Sequence, residues 1–66
     1  RVLVATYAHV LLIDIHAGIV WKSNRCAIDG VVISSIENDM VLGQGEWDPP
    51  GGWRPFKLDL NTGSPI

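Results

Sequence analysis

The stretch Phe56-Lys57-Leu58-Asp59-Leu60, followed at once by Asn61-Thr62-Gly63, constrains the fold more than any other part of the chain. Successive side chains of a strand point to opposite faces, so Phe56, Leu58 and Leu60 share one face while Lys57 and Asp59 take the other. Shorter runs of Val, Ile, Leu and Thr recur throughout, each cut by Gly, Asn, Asp or Pro. Such punctuation favours pleated, half-buried segments joined by turns. Good helix formers are scarce: the only glutamates are Glu37 and Glu46, the only lysines Lys22 and Lys57, and the only glutamine Gln44. The reading is an all-β antiparallel meander of about six strands: Val2 to Thr6, His9 to Ile15, Ile19 to Ser23, Gly30 to Ile36, Met40 to Glu46 and Arg54 to Leu60. A further strand starts at Ser64 to Ile66.

Length limits how far such strands can stabilise themselves. A chain of 66 residues buries only about 60% of its unfolded surface, and a core of that size contributes about 3–5 kcal/mol. Cys26 is the single cysteine, so it has no disulfide partner within these residues, and no Cys/His spacing resembles a structural zinc site. Residues 1–66 are therefore expected to form one β module that completes its sheet by homo-oligomerisation or with the remainder of a longer chain. The start at Arg1 rather than Met fits a fragment. The apolar run Val10 to Ile13 is far shorter than the roughly 20 residues that cross a bilayer, so no membrane is expected as partner. Lys and Arg total 5, are scattered, and are outnumbered by 7 acids. That charge pattern predicts no nucleic-acid partner. A free cysteine fits a reducing, cytoplasmic location.

Two turns repeat. Leu12-Ile13-Asp14-Ile15-His16-Ala17-Gly18 aligns with Lys57-Leu58-Asp59-Leu60-Asn61-Thr62-Gly63 at a displacement of 45 residues, Asp14 onto Asp59. The repeat covers 2–23 and 40–66. In each copy a carboxylate can accept hydrogen bonds from backbone N–H groups across the turn, and glycine supplies the positive φ of a tight hairpin. Asp14, Gly18, Asp59 and Gly63 are thus read as structural turn residues. A period of roughly 40–50 residues with about four strands per unit is the spacing of β-propeller blades.

At these residues the chain resembles the repeat of pyrroloquinoline-quinone-type propellers, in which a blade strand ends in Asp-x-x-x-Gly and soon reaches Trp. Trp21 stands in the comparable place, one residue earlier than is usual for that family. Family resemblance would raise a bound-quinone enzyme, but such cofactors sit on many blades, and no cofactor is expected here. The segment Gly45 to Phe56 also resembles the tail of uncharacterised bacterial proteins with a Trp-Asp-Pro and Trp-x-Pro-Phe pattern.

Candidate chemistry concentrates around residues 46–53. Trp47 and Trp53 flank Pro49-Pro50-Gly51-Gly52, and exposed indoles offer flat apolar faces that suit sugar rings or partner loops. Glu46 and Asp48 lie beside them as a carboxylate pair. An alternative packing folds both indoles over the face left bare by Gly43 and Gly45. The acids Asp14, Asp29, Asp39, Asp48 and Asp59 all neighbour turns and are read as turn formers. His9, His16 and Cys26 follow no metal-ligand spacing, and Cys26 is read as a small, partly buried filler. No catalytic or metal residue is assigned. The expected function is a non-enzymatic protein-interaction or scaffold module of β-propeller-like repeats, with carbohydrate or small-ligand binding through Glu46, Trp47, Asp48 and Trp53 as the alternative.

Overall fold

A computed structural model describes residues 1–48 and 50–66, leaving Pro49 of the expected Trp47 to Trp53 loop outside the described residues. Six strands form: β1 (Val2–Ala5), β2 (Val10–Asp14), β3 (Gly18–Lys22), β4 (Val31–Glu37), β5 (Met40–Glu46) and β6 (Trp53–Asp59). All pairings are antiparallel, as the alternation predicts. The meander is not one open sheet, however. It divides into sheet A, ordered β1-β2-β3, and sheet B, ordered β4-β5-β6. The break falls in the polar stretch after β3, where Ser23 to Gly30 leaves one sheet and enters the other.

That connection ties the sheets together through backbone hydrogen bonds. Cys26 N–H donates to the Ala8 carbonyl at 2.7 Å and Gly30 N–H to that of Tyr7 at 2.7 Å, both on the β1–β2 side. Ile28 and Asp29 N–H both donate to the Glu46 carbonyl, at 2.8 and 3.2 Å, and Glu46 N–H donates to Gly30. Buried Ser23 completes the join: its Oγ accepts from Val10 N–H at 2.9 Å and donates to the Asn24 carbonyl. A buried hydroxyl is retained at low cost only when both its roles are filled, as here.

Between the sheets lies one core of Val10, Leu12, Trp21, Cys26, Val41 and Leu58, with Leu3, Val31, Ile33, Phe56 and Leu60 packed around it. Strand pairing fixes which face each side chain joins. In sheet A, Leu3, Leu12 and Trp21 are in register and face sheet B. Val2 with Ile13 and Ile19, and Val4 with Leu11 and Lys22, therefore share the opposite, outward face. A bulge between Leu12 and Ile13 makes Val20 the unpaired residue of β3. In sheet B, Ile33-Gly43-Phe56 and Ile36-Val41-Leu58 are in register on the face toward sheet A, and Val32-Gln44-Pro55 and Ser35-Leu42-Lys57 on the outward one.

Turn chemistry sets the hairpins. Thr6 Oγ1 accepts from Ala8 N–H and His9 N–H, closing β1 onto β2. Asn38 and Asp39 adopt φ of 51° and 60°, the double left-handed geometry of a two-residue hairpin between β4 and β5. After β6 the chain turns and pairs again: Leu58 bridges Pro65, and Ile66 N–H donates to Lys57 at 3.1 Å. The strand expected from Ser64 is thus present as its first bridge along the edge of β6.

Candidate functional site

The two repeated turns have matching local chemistry. Asp14 Oδ1 accepts from His16 N–H at 2.8 Å and Ala17 N–H at 3.1 Å, and Gly18 has φ of 93°. Asp59 Oδ1 accepts from Asn61 N–H at 2.7 Å, and Gly63 has φ of 78°. The His16 N–H, then the Ala17 N–H, hold the Asp14 carboxyl below its ordinary pKa, with Arg1 adding a smaller contribution across 3.8 Å. Both effects stabilise the charged form.

Their surroundings differ. A β-carbon placed on Gly63 would collide with the Trp21 ring, whereas one on Gly18 would meet nothing within 4 Å. Trp21 stands in β3 of sheet A, and Gly63 in the turn that follows β6 of sheet B. The indole lies flat against the Gly63 turn, and its Nε1–H donates to the Leu60 carbonyl of the same turn at 2.9 Å. Packing and hydrogen bond together lock sheet A onto the turn that follows β6, and only glycine leaves room for the ring. The sequence marked Trp21 as a repeat position but gave no hint of its receptor, because the partners are 39 residues apart.

The face carrying Gly43 and Gly45 is covered, but by neither indole proposed for it. A β-carbon at Gly43 would strike the Phe56 ring at 2.6 Å and the Val32 carbonyl. At Gly45 it would strike the Cys26 carbonyl and the Ala27 β-carbon. Phe56 is the direct cross-strand neighbour of Gly43, so its ring folds over the bare position without any loop having to return. The strap at Cys26 and Ala27 fills the rest, which the alternation pattern could not reveal because that stretch is polar and unpaired.

Trp47 and Trp53 each line a separate hollow. Trp47 lines a groove of about 700 Å³ with Gln44, Phe56 and Lys57 among its walls. Trp53, 43% exposed, borders a shallower recess of about 310 Å³ with Val32, Ser34 and Gln44. Ser34 and Gln44 belong to both, so the hollows adjoin across those two polar side chains. Sequence reasoning did not single out either one. Glu46 is committed to the loop itself, its Oε2 accepting from Gly51 N–H at 2.8 Å. Asp48 is exposed, and its carbonyl accepts from Gly52 N–H at 3.1 Å. Neither carboxylate lines the groove or the recess.

Cys26 is buried beside Ser23, 3.5 Å between Sγ and Oγ, and packs in the inter-sheet core. His9 Nδ1 lies 3.1 Å from the Ser23 carbonyl. Among the described residues no group of three His, Cys, Asp or Glu side chains is placed to hold a metal ion, and no helix is long and apolar enough to cross a membrane.

No protein family, curated protein or solved structure matches this chain.

Proposed function

We propose that the chain is a non-enzymatic protein-interaction or scaffold module of β-propeller-like repeats, working through sheet faces that stack on further protein. One observation carries this reading. Sheet A is received by Phe56 and Leu58 of sheet B and by Gly63 in the turn after β6, and a displacement of 45 residues brings these onto Leu11, Ile13 and Gly18. Leu11 and Ile13 lie half-buried on the outward face of sheet A with Val4, beside exposed Val2 and Ile19. Apart from Lys22 that face is apolar, and a sheet apolar on both sides has the pattern of a sheet packed on both sides. Contiguous apolar surface of this kind marks an interaction site. The acids support the same reading, since Asp14, Asp59 and Glu46 are engaged with turn amides.

Light scattering joined to side-chain footprinting tests it, in buffer and in extract of cells making the protein. Species larger than one chain, with Val2, Val4, Leu11 and Ile13 shielded, are expected in at least one of the two. A folded monomer whose outward sheet A face labels freely in both contradicts the reading.

A second reading, binding of a carbohydrate or other small ligand, is favoured by the two hollows that share Ser34 and Gln44, one lined by Trp47 and the other by Trp53. Indole faces flanking hydrogen-bonding side chains suit a flat polar ring. Tryptophan fluorescence titrated with a glycan panel checks it: saturable change abolished in both Trp47→Phe and Trp53→Phe is expected, and a flat response removes it.

A further inference from the structure

Resting on the interaction-module reading, the geometry points to a specific partner: a second copy of this chain, stacked head to tail, with the outward face of sheet B of one copy on the outward face of sheet A of the next. The internal interface supplies the template. It consists of a donor face, Val10, Leu12 and Trp21, seated on an acceptor face, Phe56, Leu58 and Gly63. Displacing these sets by 45 residues in opposite directions gives the two surfaces that remain open. Acceptor positions move back to Leu11, Ile13 and Gly18 on the outward face of sheet A. Donor positions move forward to Pro55, Lys57 and Ile66, on the outward side of sheet B and the bridge beside it.

Both surfaces are suited to the contact. Ile19 and Val2 stand exposed on the acceptor side, at 64% and 50%. Val32, Trp53 and Ile66 stand exposed on the donor side. Gly18 opens onto free space, so the seat that Trp21 fills at Gly63 is vacant there, and Ile66 is the residue brought to it. Lys57 takes the place of Leu12, which makes this contact weaker than the internal one and dependent on concentration. Because donor and acceptor are different surfaces, each copy retains one of each, and the association extends into a ring or an open row instead of stopping at a two-fold dimer.

Two exposed positions separate the faces without touching the core: Ile19→Asp on the acceptor and Val32→Asp on the donor. Sedimentation velocity over a wide concentration range is the readout, with circular dichroism as the check that each variant keeps its strands. The wild type is expected to grow past a dimer as concentration rises. Each variant alone is expected to remain a monomer where the wild type associates, with a midpoint raised at least about tenfold, equivalent to about 1.4 kcal/mol. Mixed in equal amounts, the two variants are expected to form a dimer and nothing larger, since each retains the face the other lacks. Growth of Val32→Asp into a self-dimer, or a mixture that stays monomeric while the wild type associates, overturns the head-to-tail arrangement and leaves the module reading intact. A wild type monomeric in buffer, yet shielded on sheet A in cell extract, overturns self-association and assigns the face to another protein. A monomer with that face open in both overturns the two proposals together.

Discussion

Gly18 and Gly63 end the same turn, with the same aspartate four residues before and the same left-handed backbone, yet one faces open space and the other lies under an indole. The contrast extends to their sheets. Sheet B is apolar toward sheet A and mixed on its outward side, where Gln44, Lys57 and Ser35 alternate with Val32 and Leu42. Sheet A is apolar toward sheet B and carries Val2, Val4, Leu11, Ile13 and Ile19 with a single charged side chain, Lys22, on its outward side. Two turns with the same local chemistry can therefore carry different packing.

Substitution at the lock should have the largest effect. Trp21→Ala empties the position between the sheets and orphans the Leu60 carbonyl, and is expected to cost about 3–5 kcal/mol. That is comparable to the whole stability of a domain this small. Urea titration monitored by circular dichroism should find the variant largely unfolded; a midpoint near that of the wild type would mean that the two sheets stand independently.

The paired glycines sharpen the comparison next. Gly63→Ala combines a left-handed backbone with collision against the Trp21 ring and is expected to cost about 2–5 kcal/mol. Gly18→Ala meets only the backbone penalty, about 1–2 kcal/mol. Thermal unfolding of the two at a concentration where the chain is monomeric checks the difference. Equal losses would remove the distinction between a filled and a vacant seat.

A third comparison sets the faces of sheet A against each other. Leu12→Ala, in the core, is expected to cost about 2–5 kcal/mol. Ile19→Ala, on the outward face, is expected to stay within about 0.5 kcal/mol in the monomer. Denaturant unfolding at low concentration measures both.

Much of the architecture was legible because strand alternation and turn residues are local signals. Phe56, Leu58 and Leu60 announced β6, and Glu37-Asn38-Asp39 announced the hairpin before β5. Bare Gly43 and Gly45 correctly announced that something lies against β5. The identity of the cover was not legible, since Phe56 acts across a strand pair and Cys26-Ala27 acts through backbone in a polar linker. Division into two sheets was hidden for the same reason: the strap is held by main-chain bonds of Cys26, Ile28, Asp29 and Gly30, which side-chain pattern does not encode. Of the candidate site, the turn carboxylates were predictable from Asp-x-x-x-Gly. Ser34 and Gln44 were not, because only the β4–β5 pairing and the indoles around them give those side chains a role.

The smallest expected effect concerns pH. Asp14 is held below its ordinary pKa by turn amides, so its charge favours the folded state above the unfolded value of about 3.9. That contribution is lost as pH falls through the lower folded value. Wild type is expected to lose slightly more stability than Asp14→Asn between neutral and acidic pH, read from urea midpoints across the range. An identical acid dependence would show that the turn does not use the charge.

The packing of Trp21 on Gly63 underlies the two-sheet fold and the contrast with Gly18. It is tested most directly by proton NMR of the chain. Through-space contacts between the Trp21 ring and the Gly63 α-protons, with those α-protons shifted upfield by the ring and the Gly18 pair unshifted in the monomer, are the predicted result. A Trp21 ring with no contact to Gly63, and α-proton shifts alike at both glycines, would contradict it.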